Sequence, residues 1–528
     1  MNPWLARLLA LACGLAAAFA FPPFGVLPGL LGYALLLRLV DTDGPRPLRS
    51  AFFRGWLAGV GYFGIGVGWI TEPFMVDAAE QGWMAPFALL LMAGGLALFW
   101  GFAALAFRIV RAPDWTRLLV FAASLSAFEW LRGHVFTGFP WNLPGETWAA
   151  GSAPSQAAAL IGAYGLTYVT VALAAAPALL FDPVPRRTRA VVAALALAIL
   201  GGLYGFGAWR LAHAARPSPT APLIRVVQAD IDQKEKWKPE NLPQVFATYR
   251  RLTTQPAAAT PDLVVWPEGA LPAVIDDLLY PGSPYLAGLV DDLKPGQTLM
   301  MGANRAGLGP GGKVAYYNSL VAFRREADGP GGLRVTGIYD KHRLVPFGEF
   351  LPFGQLATRW GIRSLVHMPE DFTAGPEPRP LQPLGLPPVQ PLICYEALFP
   401  RFADGAAARA GFRPAWLLNV SNDAWFGRTS GPWQHLNIAG YRAIEAGLPL
   451  VRATPTGVSV VLDAYGRAVG GQRLKLGQEG IIDARLPPGL PSTTYSKRGE
   501  IFLAAALLTS LVTAAFRHWR RRRFPIQG

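Results

Sequence analysis

Long apolar runs occupy most of the first 210 residues, and one more lies near the end of the chain. Several are shorter than the ~20 residues that a helix needs to cross a bilayer, so the predicted helix ends are approximate. We predict a multi-pass α-helical membrane bundle of about eight transmembrane helices. The predicted helices lie at 8–20, 24–40, 55–71, 85–107, 118–132, 158–181, 190–209 and 501–516.

A different pattern fills the long stretch between the last two of these runs. Here, short strand-like apolar runs alternate with helical patterns such as those at 239–255 and 400–411. Such alternation is typical of an α/β domain, in which functional side chains lie where strands end. We therefore predict three consecutive parts: transmembrane helices and loops at 1–216, an α/β domain at 217–499, and a final helix with a basic tail at 500–528.

Composition narrows the class of protein. Hydrophobic residues make up 52% of the chain and charged residues 16%, against roughly 25% charged residues in a typical soluble protein. These values exclude a disordered chain and argue against an entirely soluble one. The net charge of +14 would fit either a nucleic-acid partner or an anionic membrane surface.

The positions of the arginines decide between these two partners. The loops at 21–23, 72–84 and 133–157 contain neither Lys nor Arg. Because positively charged loops remain on the cytoplasmic side of a membrane, we predict cytoplasmic termini and an outward-facing domain. The basic tail then contacts anionic lipid, and a nucleic-acid partner is excluded. The arginines predicted to be cytoplasmic are Arg46, Arg49, Arg54, Arg108, Arg111, Arg117, Arg186, Arg187, Arg189, Arg517, Arg520, Arg521, Arg522 and Arg523.

The N-terminal apolar run has two alternative interpretations. A cleaved signal peptide would fit Arg7 and the apolar residues after it, but another apolar run follows at once without a polar mature start. Cys13 could be a lipid-attachment cysteine, but Ala10 and Leu11 stand in the reverse of the usual order. We therefore predict that this run is the first transmembrane helix and that Cys13 packs inside it.

The second of the two cysteines, Cys394, lies in the predicted outward-facing domain. It is far from Cys13, so it is a lone thiol in a compartment where thiols are usually oxidised. One interpretation is a buried, inert cysteine. The other is a reactive thiol, because Cys394 ends a buried strand, where a sharp turn would expose its sulfur.

Two further strand ends carry residues that a reactive thiol needs. Glu268 follows the strand DLVVW and a proline, and Lys341 lies in a polar loop with Glu349 eight residues later. A thiol needs a base to become a nucleophile, and a tetrahedral intermediate needs a positive donor near its oxygen. Taken alone, however, Glu268 could be a surface carboxylate and Lys341 a solvated charge.

Seven linked motifs are spread along the chain: FPPFGVLPG, FEWLRGHVFTGFPWN, WPEGALP, YDKHRLVPFGEFLP, ICYEALFP, VSNDAWFGRTSGPWQH and LPSTTYSKRGEIF. They resemble those of the nitrilase superfamily and, more narrowly, of its membrane branch, the apolipoprotein N-acyltransferases. The resemblance covers nearly the whole chain and departs from the family's pattern at Gly269, where a Ser is common, and at 437–441.

The resemblance implies an αββα sandwich that carries a Glu–Lys–Cys triad. Glu268 would be the general base, Cys394 the nucleophile and Lys341 the stabiliser of the oxyanion. The loop VSNDAWFG is interpreted as architecture around the pocket. Four further residues match positions that matter for activity in the family: Trp237, Glu349, Tyr395 and Glu396.

Each of these four residues also has a structural interpretation. Trp237 is either a lid over the lipid site or an aromatic residue packed on the domain surface. Glu349 either transfers a proton or forms a salt bridge to Lys341. Tyr395 and Glu396 either take part in the reaction or hold the turn of the nucleophile.

The resemblance also implies the reaction and its partners. The thiol of Cys394 takes a fatty acyl chain from a membrane phospholipid, which gives a thioester and a lysophospholipid. The α-amine of an N-terminal S-diacylglyceryl-cysteine on an apolipoprotein then receives the chain, the last step of lipoprotein maturation. No cofactor or metal is expected, because the six histidines are scattered and no His/Cys/Asp cluster has ligand spacing. The expected location is the bacterial inner membrane, with the catalytic domain in the periplasm.

Two rival functional classes predict different features. A membrane-tethered nitrilase-type amidohydrolase would hydrolyse a soluble amide without any dependence on lipid. A non-catalytic transporter or scaffold would carry ionisable residues or broken helices within the membrane. Apart from Glu129 near an outer helix end, the apolar runs contain almost no ionisable residues, which disfavours transport.

Overall fold

A computed structural model describes residues 2–182, 184–327, 332–351 and 371–523. The chain divides into two compact units. The helix Gly431–Ala446 lies within the predicted outward-facing domain by sequence, yet residues 429–445 cluster with the helical unit. The helical unit comprises Met1–Ala214, Thr429–Glu445 and Ser492–Gly528, and the α/β unit comprises Ala215–Arg428 and Ala446–Pro491.

Helices of the helical unit follow the predicted apolar runs. Among the described residues, four helices are long and apolar enough to cross a membrane: Ala78–Val110, Pro154–Phe181, Arg186–Ala212 and Ile501–Arg521. The other predicted runs correspond to helices that are shorter or less apolar, so the number of crossings remains a prediction. These helices are Pro3–Ala18, Gly32–Val40, Pro47–Gly66 and Thr116–Arg132.

Glycines allow the helices Pro47–Gly66 and Ala78–Val110 to pack in direct contact. A Cβ atom at Gly59 would lie 2.8 Å from the Cα of Ala97, and one at Gly55 would lie 2.6 Å from the carbonyl oxygen of Trp100. Larger residues at either position would push the helices apart. The glycine-rich sequence therefore serves close helix packing, as is common between membrane helices.

The ionisable residue that the sequence places near an outer helix end has internal partners. Glu129 forms an ion pair with Arg132, and both side chains are fully buried. Trp100 Nε1 donates a 2.6 Å hydrogen bond to Glu129 Oε1, and Arg132 also donates to the carbonyl of Phe139. Charged groups within a helix bundle are usually paired in this way, and the arrangement fits a structural role.

The helix Gly431–Ala446 is held to the helical unit by polar contacts. Gln434 Oε1 accepts a 2.9 Å hydrogen bond from Trp141 Nε1. Asn437 Nδ2 donates to the carbonyl of Glu146 at 2.8 Å, and the Tyr441 hydroxyl donates to that of Trp148 at 2.6 Å. The side chains of Asn437 and Tyr441 thus satisfy buried backbone carbonyls of the 141–150 loop.

The described part of the α/β unit contains eleven strands: β1 (Leu223–Gln228), β2 (Leu263–Trp266), β3 (Thr298–Leu308), β4 (Val314–Arg325), β5 (Leu333–Asp340), β6 (Val389–Ile393), β7 (Trp416–Val420), β8 (Leu450–Ala453), β9 (Ser459–Leu462), β10 (Ala468–Leu474) and β11 (Gly480–Arg485). They form two sheets, with strand orders β11-β1-β2-β3-β4-β5 and β10-β9-β8-β7-β6. Neighbours β1, β2 and β3 are parallel, as are β6, β7 and β8, and the other pairs are antiparallel. The longer helices are Leu242–Thr253, Pro284–Asp292 and Phe402–Ala410.

The core of the α/β unit follows from the alternation of side chains along each strand. Val265 of β2 packs in one core cluster with Leu418 of β7, so this cluster combines residues of both sheets. Val264, which points to the opposite face of β2, packs instead with Phe246 and Leu289 of the flanking helices. The predicted α/β class is confirmed, whereas the complete αββα layering remains a prediction.

Candidate active site

The predicted catalytic residues follow three different strands of the α/β unit. Glu268 lies two residues after the end of β2, Lys341 directly follows β5, and Cys394 directly follows β6. Lys341 Nζ lies 3.3 Å from Glu268 Oε1, and the charges of both residues act on the Cys394 thiol. The fold therefore brings all three residues together, although they are far apart in the sequence.

Lys341 is shared between two carboxylates. Its side chain is 1% exposed, and Nζ donates to Glu349 Oε1 at 2.9 Å as well as to Glu268. Burial alone would lower the pKa of Lys341, but the charges of Glu349 and Glu268 outweigh burial and raise this pKa above its ordinary value. Lys341 is therefore an ammonium group at neutral pH. The predicted salt bridge between Glu349 and Lys341 is present.

Glu268 is oriented by hydrogen bonds at both carboxylate oxygens. Oε1 accepts a 2.7 Å bond from Asn318 Nδ2, in addition to the Lys341 contact. Oε2 accepts a 2.6 Å bond from the main-chain N–H of Asn422. These donors, on both sides of the carboxylate, hold it in one orientation.

Asn318 is a site residue that sequence reasoning missed. Its Nδ2 also donates to Glu349 Oε1 at 2.8 Å, so one amide group separates two carboxylates. The available signal in the sequence was weak: a polar residue at the start of the predicted strand NSLVAF. Ser421 was missed as well, and its side chain forms a hydrogen bond with Cys394.

Cys394 occupies a sharp turn at the end of β6. Its φ of 48° lies in the left-handed region, which is uncommon outside glycine and is often seen at functional sites. The residue is partly exposed. Burial and the Glu268 charge raise the pKa of Cys394, although Lys341 and Ser421 oppose this change. The resting form is therefore a thiol, which needs a base to become a nucleophile.

Glu396 connects the nucleophile turn to the loop after Lys341. Its buried Oε1 accepts hydrogen bonds from the Tyr339 hydroxyl at 2.9 Å and from the main-chain N–H groups of His342 at 2.8 Å and Arg343 at 3.2 Å. Oε2 accepts from the N–H of Ile393 at 2.9 Å. Burial raises the pKa of Glu396 to about 7. This geometry fits a residue that holds the turn in position.

The other two predicted supporting residues differ in their surroundings. Tyr395 is buried, and its ring packs edge-on against Phe399 at a centroid distance of 5.1 Å. Trp237 is 46% exposed and ends the short helix Gln233–Lys236. The structure thus places Tyr395 in the core of the turn and Trp237 at the surface of the α/β unit, and the proposed lid function of Trp237 remains a prediction.

The loop after β7 has its own buried ion pair. Arg452 Nη2 lies 2.5 Å from Asp423 Oδ2, and neither side chain is exposed. Ser421 Oγ donates to Asp423 Oδ1 at 2.7 Å. Within the described residues, no group of three or more His, Cys, Asp or Glu side chains could hold a metal ion.

Comparisons with known proteins address the whole chain. A family model for the apolipoprotein N-acyltransferase N-terminal domain matches residues 13–176, and a model for carbon-nitrogen hydrolases matches residues 223–494. An apolipoprotein N-acyltransferase of Caulobacter vibrioides is 56% identical and aligns over 98% of this chain and 96% of its own length. One from Brucella melitensis is 39% identical over 99% of this chain and 98% of its own length.

One solved structure is similar to part of the chain. An amidase from Nesterenkonia sp. is 19% identical, and the alignment covers 58% of this chain and 98% of the amidase, with a TM-score of 0.33.

Proposed function

The chain belongs to the apolipoprotein N-acyltransferase family, and from this premise we propose how its α/β unit transfers an acyl chain. The acyl donor is a membrane phospholipid, and the acceptor is the α-amine of an N-terminal S-diacylglyceryl-cysteine on an apolipoprotein. The transfer passes through a thioester on Cys394. The observation that carries this proposal is the 3.3 Å distance between Lys341 Nζ and Glu268 Oε1, together with the effect of both charges on the Cys394 thiol.

In the first half-reaction, Glu268 accepts the proton of the Cys394 thiol. The sulfur attacks the carbonyl carbon of the phospholipid ester, and the resulting oxyanion is stabilised by the positive charge of Lys341. The tetrahedral intermediate then breaks its bond to the glycerol oxygen. That oxygen takes the proton from Glu268 and leaves as a lysophospholipid, so the enzyme holds a thioester.

In the second half-reaction, the neutral α-amine of the lipoprotein attacks the thioester carbon. Glu268 accepts a proton from the nitrogen, and the intermediate breaks its bond to sulfur. Cys394 returns to the thiol form when the proton passes back from Glu268. Glu268 therefore acts as the base in both half-reactions. The hydrogen bonds to both of its carboxylate oxygens hold the group in one orientation and support this role.

We further propose that the enzyme lies in the bacterial inner membrane with its catalytic residues on the periplasmic side. The distribution of arginines along the sequence supports this orientation. Both substrates are anchored in lipid, which fits a catalytic domain attached to apolar helices.

The decisive experiment uses purified protein, a phospholipid with a labelled acyl chain and a synthetic diacylated lipopeptide. Mass spectrometry should detect the labelled chain on the lipopeptide amine for the wild type, and no transfer for Cys394→Ser. Hydrolysis of a soluble amide without any acyl transfer would instead favour the amidohydrolase alternative and contradict the proposal.

A further inference from the structure

Lys236 is a second lysine close to the base, and the proposed reaction does not yet use it. Its side chain is 1% exposed, and Nζ has no hydrogen-bond or ion-pair partner among the described residues. A Cβ atom at Gly269, the residue after Glu268, would lie 3.7 Å from this Nζ. An ammonium group that is buried without an ionic partner is costly, so its retention beside the base requires a reason.

Charged and aromatic groups around Lys236 indicate where its charge acts. Burial lowers the pKa of Lys236 to about 8, and the negative charge of Glu268 partly opposes this change. The ring of Trp237 lies 5.7 Å from Nζ. The neighbouring acid Glu235 points away and pairs with Lys238 at the surface. The amino group of Lys236 is thus protonated at neutral pH, and its positive charge acts on the carboxylate of Glu268.

A second contact links the same short helix to the base. Gln233 Oε1 accepts a 3.3 Å hydrogen bond from Asn422 Nδ2, and the N–H of Asn422 donates to Glu268. The position of Lys236 is also fixed, because its main-chain N–H donates to the carbonyl of Asp232 at 2.9 Å. The short helix Gln233–Lys236 therefore places the charge of Lys236 near Glu268, and through Gln233 it also binds Asn422, which donates to Glu268.

The charges of the site show why a second cation is needed. Lys341 lies against two carboxylates, Glu268 and Glu349, within 3.3 Å and 2.9 Å. Two neighbouring carboxylates in a buried site repel each other, and one ammonium group offsets only one of the two negative charges. A second cation beside Glu268 offsets the other.

We propose that Lys236 is a positioning residue that acts through Glu268: its positive charge stabilises the carboxylate that accepts the proton of Cys394. This inference rests on the proposed function, because it takes Glu268 as the base. Lys341 stabilises the oxyanion, and Lys236 stabilises the charge of the base. The two buried lysines thus have separate roles on either side of one carboxylate.

The test compares Lys236→Met with the wild type over a range of pH. At about pH 6.5, where an ordinary lysine is charged, acyl-enzyme formation on Cys394 should slow by about 10-fold to 100-fold, in the range of losing one electrostatic group. The deficit should close as pH rises toward about 9, because Lys236 in the wild type, whose pKa burial lowers to about 8, then loses its proton as well. Lys236→Arg, which keeps the charge, should recover most of the rate at the lower pH.

Lys238→Met provides the matched control, because Lys238 is an exposed lysine two residues away that pairs with Glu235. It should behave like the wild type. A deficit of Lys236→Met that is the same at every pH would indicate a merely structural role and overturn the proposal, as would a wild-type rate at about pH 6.5.

A second readout separates this proposal from the proposed function. The rate of alkylation of Cys394 by iodoacetamide needs no phospholipid, but it needs proton transfer from the thiol. It should show the same pH-dependent deficit in Lys236→Met. If the wild type forms no acyl-enzyme, the proposed function fails, while the alkylation rates still support or overturn the role of Lys236.

Discussion

The main-chain N–H of Asn422 donates a 2.6 Å hydrogen bond to Glu268 Oε2, across 154 residues of sequence. It joins the loop after β7 to the loop after β2, and these strands belong to different sheets. Only a substitution to proline removes a main-chain donor, so this bond can orient the base with any other side chain at 422.

Cys394→Ser should fold but form no acyl-enzyme with phospholipid alone. A serine hydroxyl is a much weaker nucleophile at neutral pH than a thiol, because it gives up its proton far less readily. Mass spectrometry of the intact wild type should show one acyl adduct, mapped to Cys394. Cys13→Ser is the control, because Cys13 is buried in the helical unit and its loss should leave the adduct unchanged. An adduct on any other residue would contradict the assignment.

Glu268→Gln should slow acyl-enzyme formation by about 10²–10⁴-fold at neutral pH, the usual contribution of a general base. The rate should recover in part as pH rises, because hydroxide then removes the thiol proton. Burial keeps the pKa of Cys394 above its ordinary value, so the recovery requires alkaline pH. The measurement is the acylation rate against pH.

Lys341→Met should slow the same step by about 10²–10³-fold, the cost of losing one oxyanion donor. Raising the pH should rescue little, since the lost positive charge is not restored. Lys341→Arg keeps the charge but changes its shape and reach, and it should also fail. If the Gln variant at 268 and the Met variant at 341 responded to pH in the same way, the separate roles of base and oxyanion stabiliser would be wrong.

Asn318→Ala should reduce the acylation rate by about 10-fold or more, because the two carboxylates lose the shared donor that separates them. Asn304→Ala, which alters the residue paired with Asn318 on β3, is the matched control and should retain the wild-type rate. Equal losses in both variants would assign the effect to the sheet rather than to the site.

Glu396→Gln should destabilise the protein by about 1–3 kcal/mol, because an amide N–H₂ then faces main-chain N–H donors. The raised pKa of Glu396, about 7, means that the folded protein binds a proton that the unfolded chain releases near pH ~4.3. The contribution of this group is therefore present at low pH and is lost as pH rises through about 7. The variant should lack this dependence.

The measurement is thermal unfolding in detergent between about pH 4 and about pH 8. Glu240→Gln, at an exposed position, should unfold like the wild type at every pH. If the unfolding temperature of Glu396→Gln changed with pH in the same way as that of the wild type, the assignment of the proton to Glu396 would be wrong.

The distribution of arginines predicts that residue 230 faces the periplasm and that the tail at 525 faces the cytoplasm. Alkaline phosphatase is active only outside the cytoplasm, so a fusion at 230 should be active and one at 525 inactive. Fluorescent protein fusions provide the reciprocal control. Activity from the tail fusion, or none at 230, would overturn the predicted orientation.

The sequence by itself determined the features that depend on local pattern. The long apolar runs predicted the helices, because a bilayer demands continuous apolar segments. The alternation of short apolar runs with helical patterns predicted the α/β class. Buried strands that end in Glu268 and Cys394 marked the edges where the reactive groups lie, and linked motifs identified the family.

Only the tertiary structure decided how these positions combine. The roles of Asn318 and Lys236 depend on side chains brought together from separate strands and loops, and neither residue type at such a position stands out in a sequence. The same holds for the helix Gly431–Ala446, which clusters with the helical unit although it lies between strands of the other unit. Hydrogen bonds and charge interactions act over a few ångströms in space, whereas a sequence pattern records only neighbours along the chain.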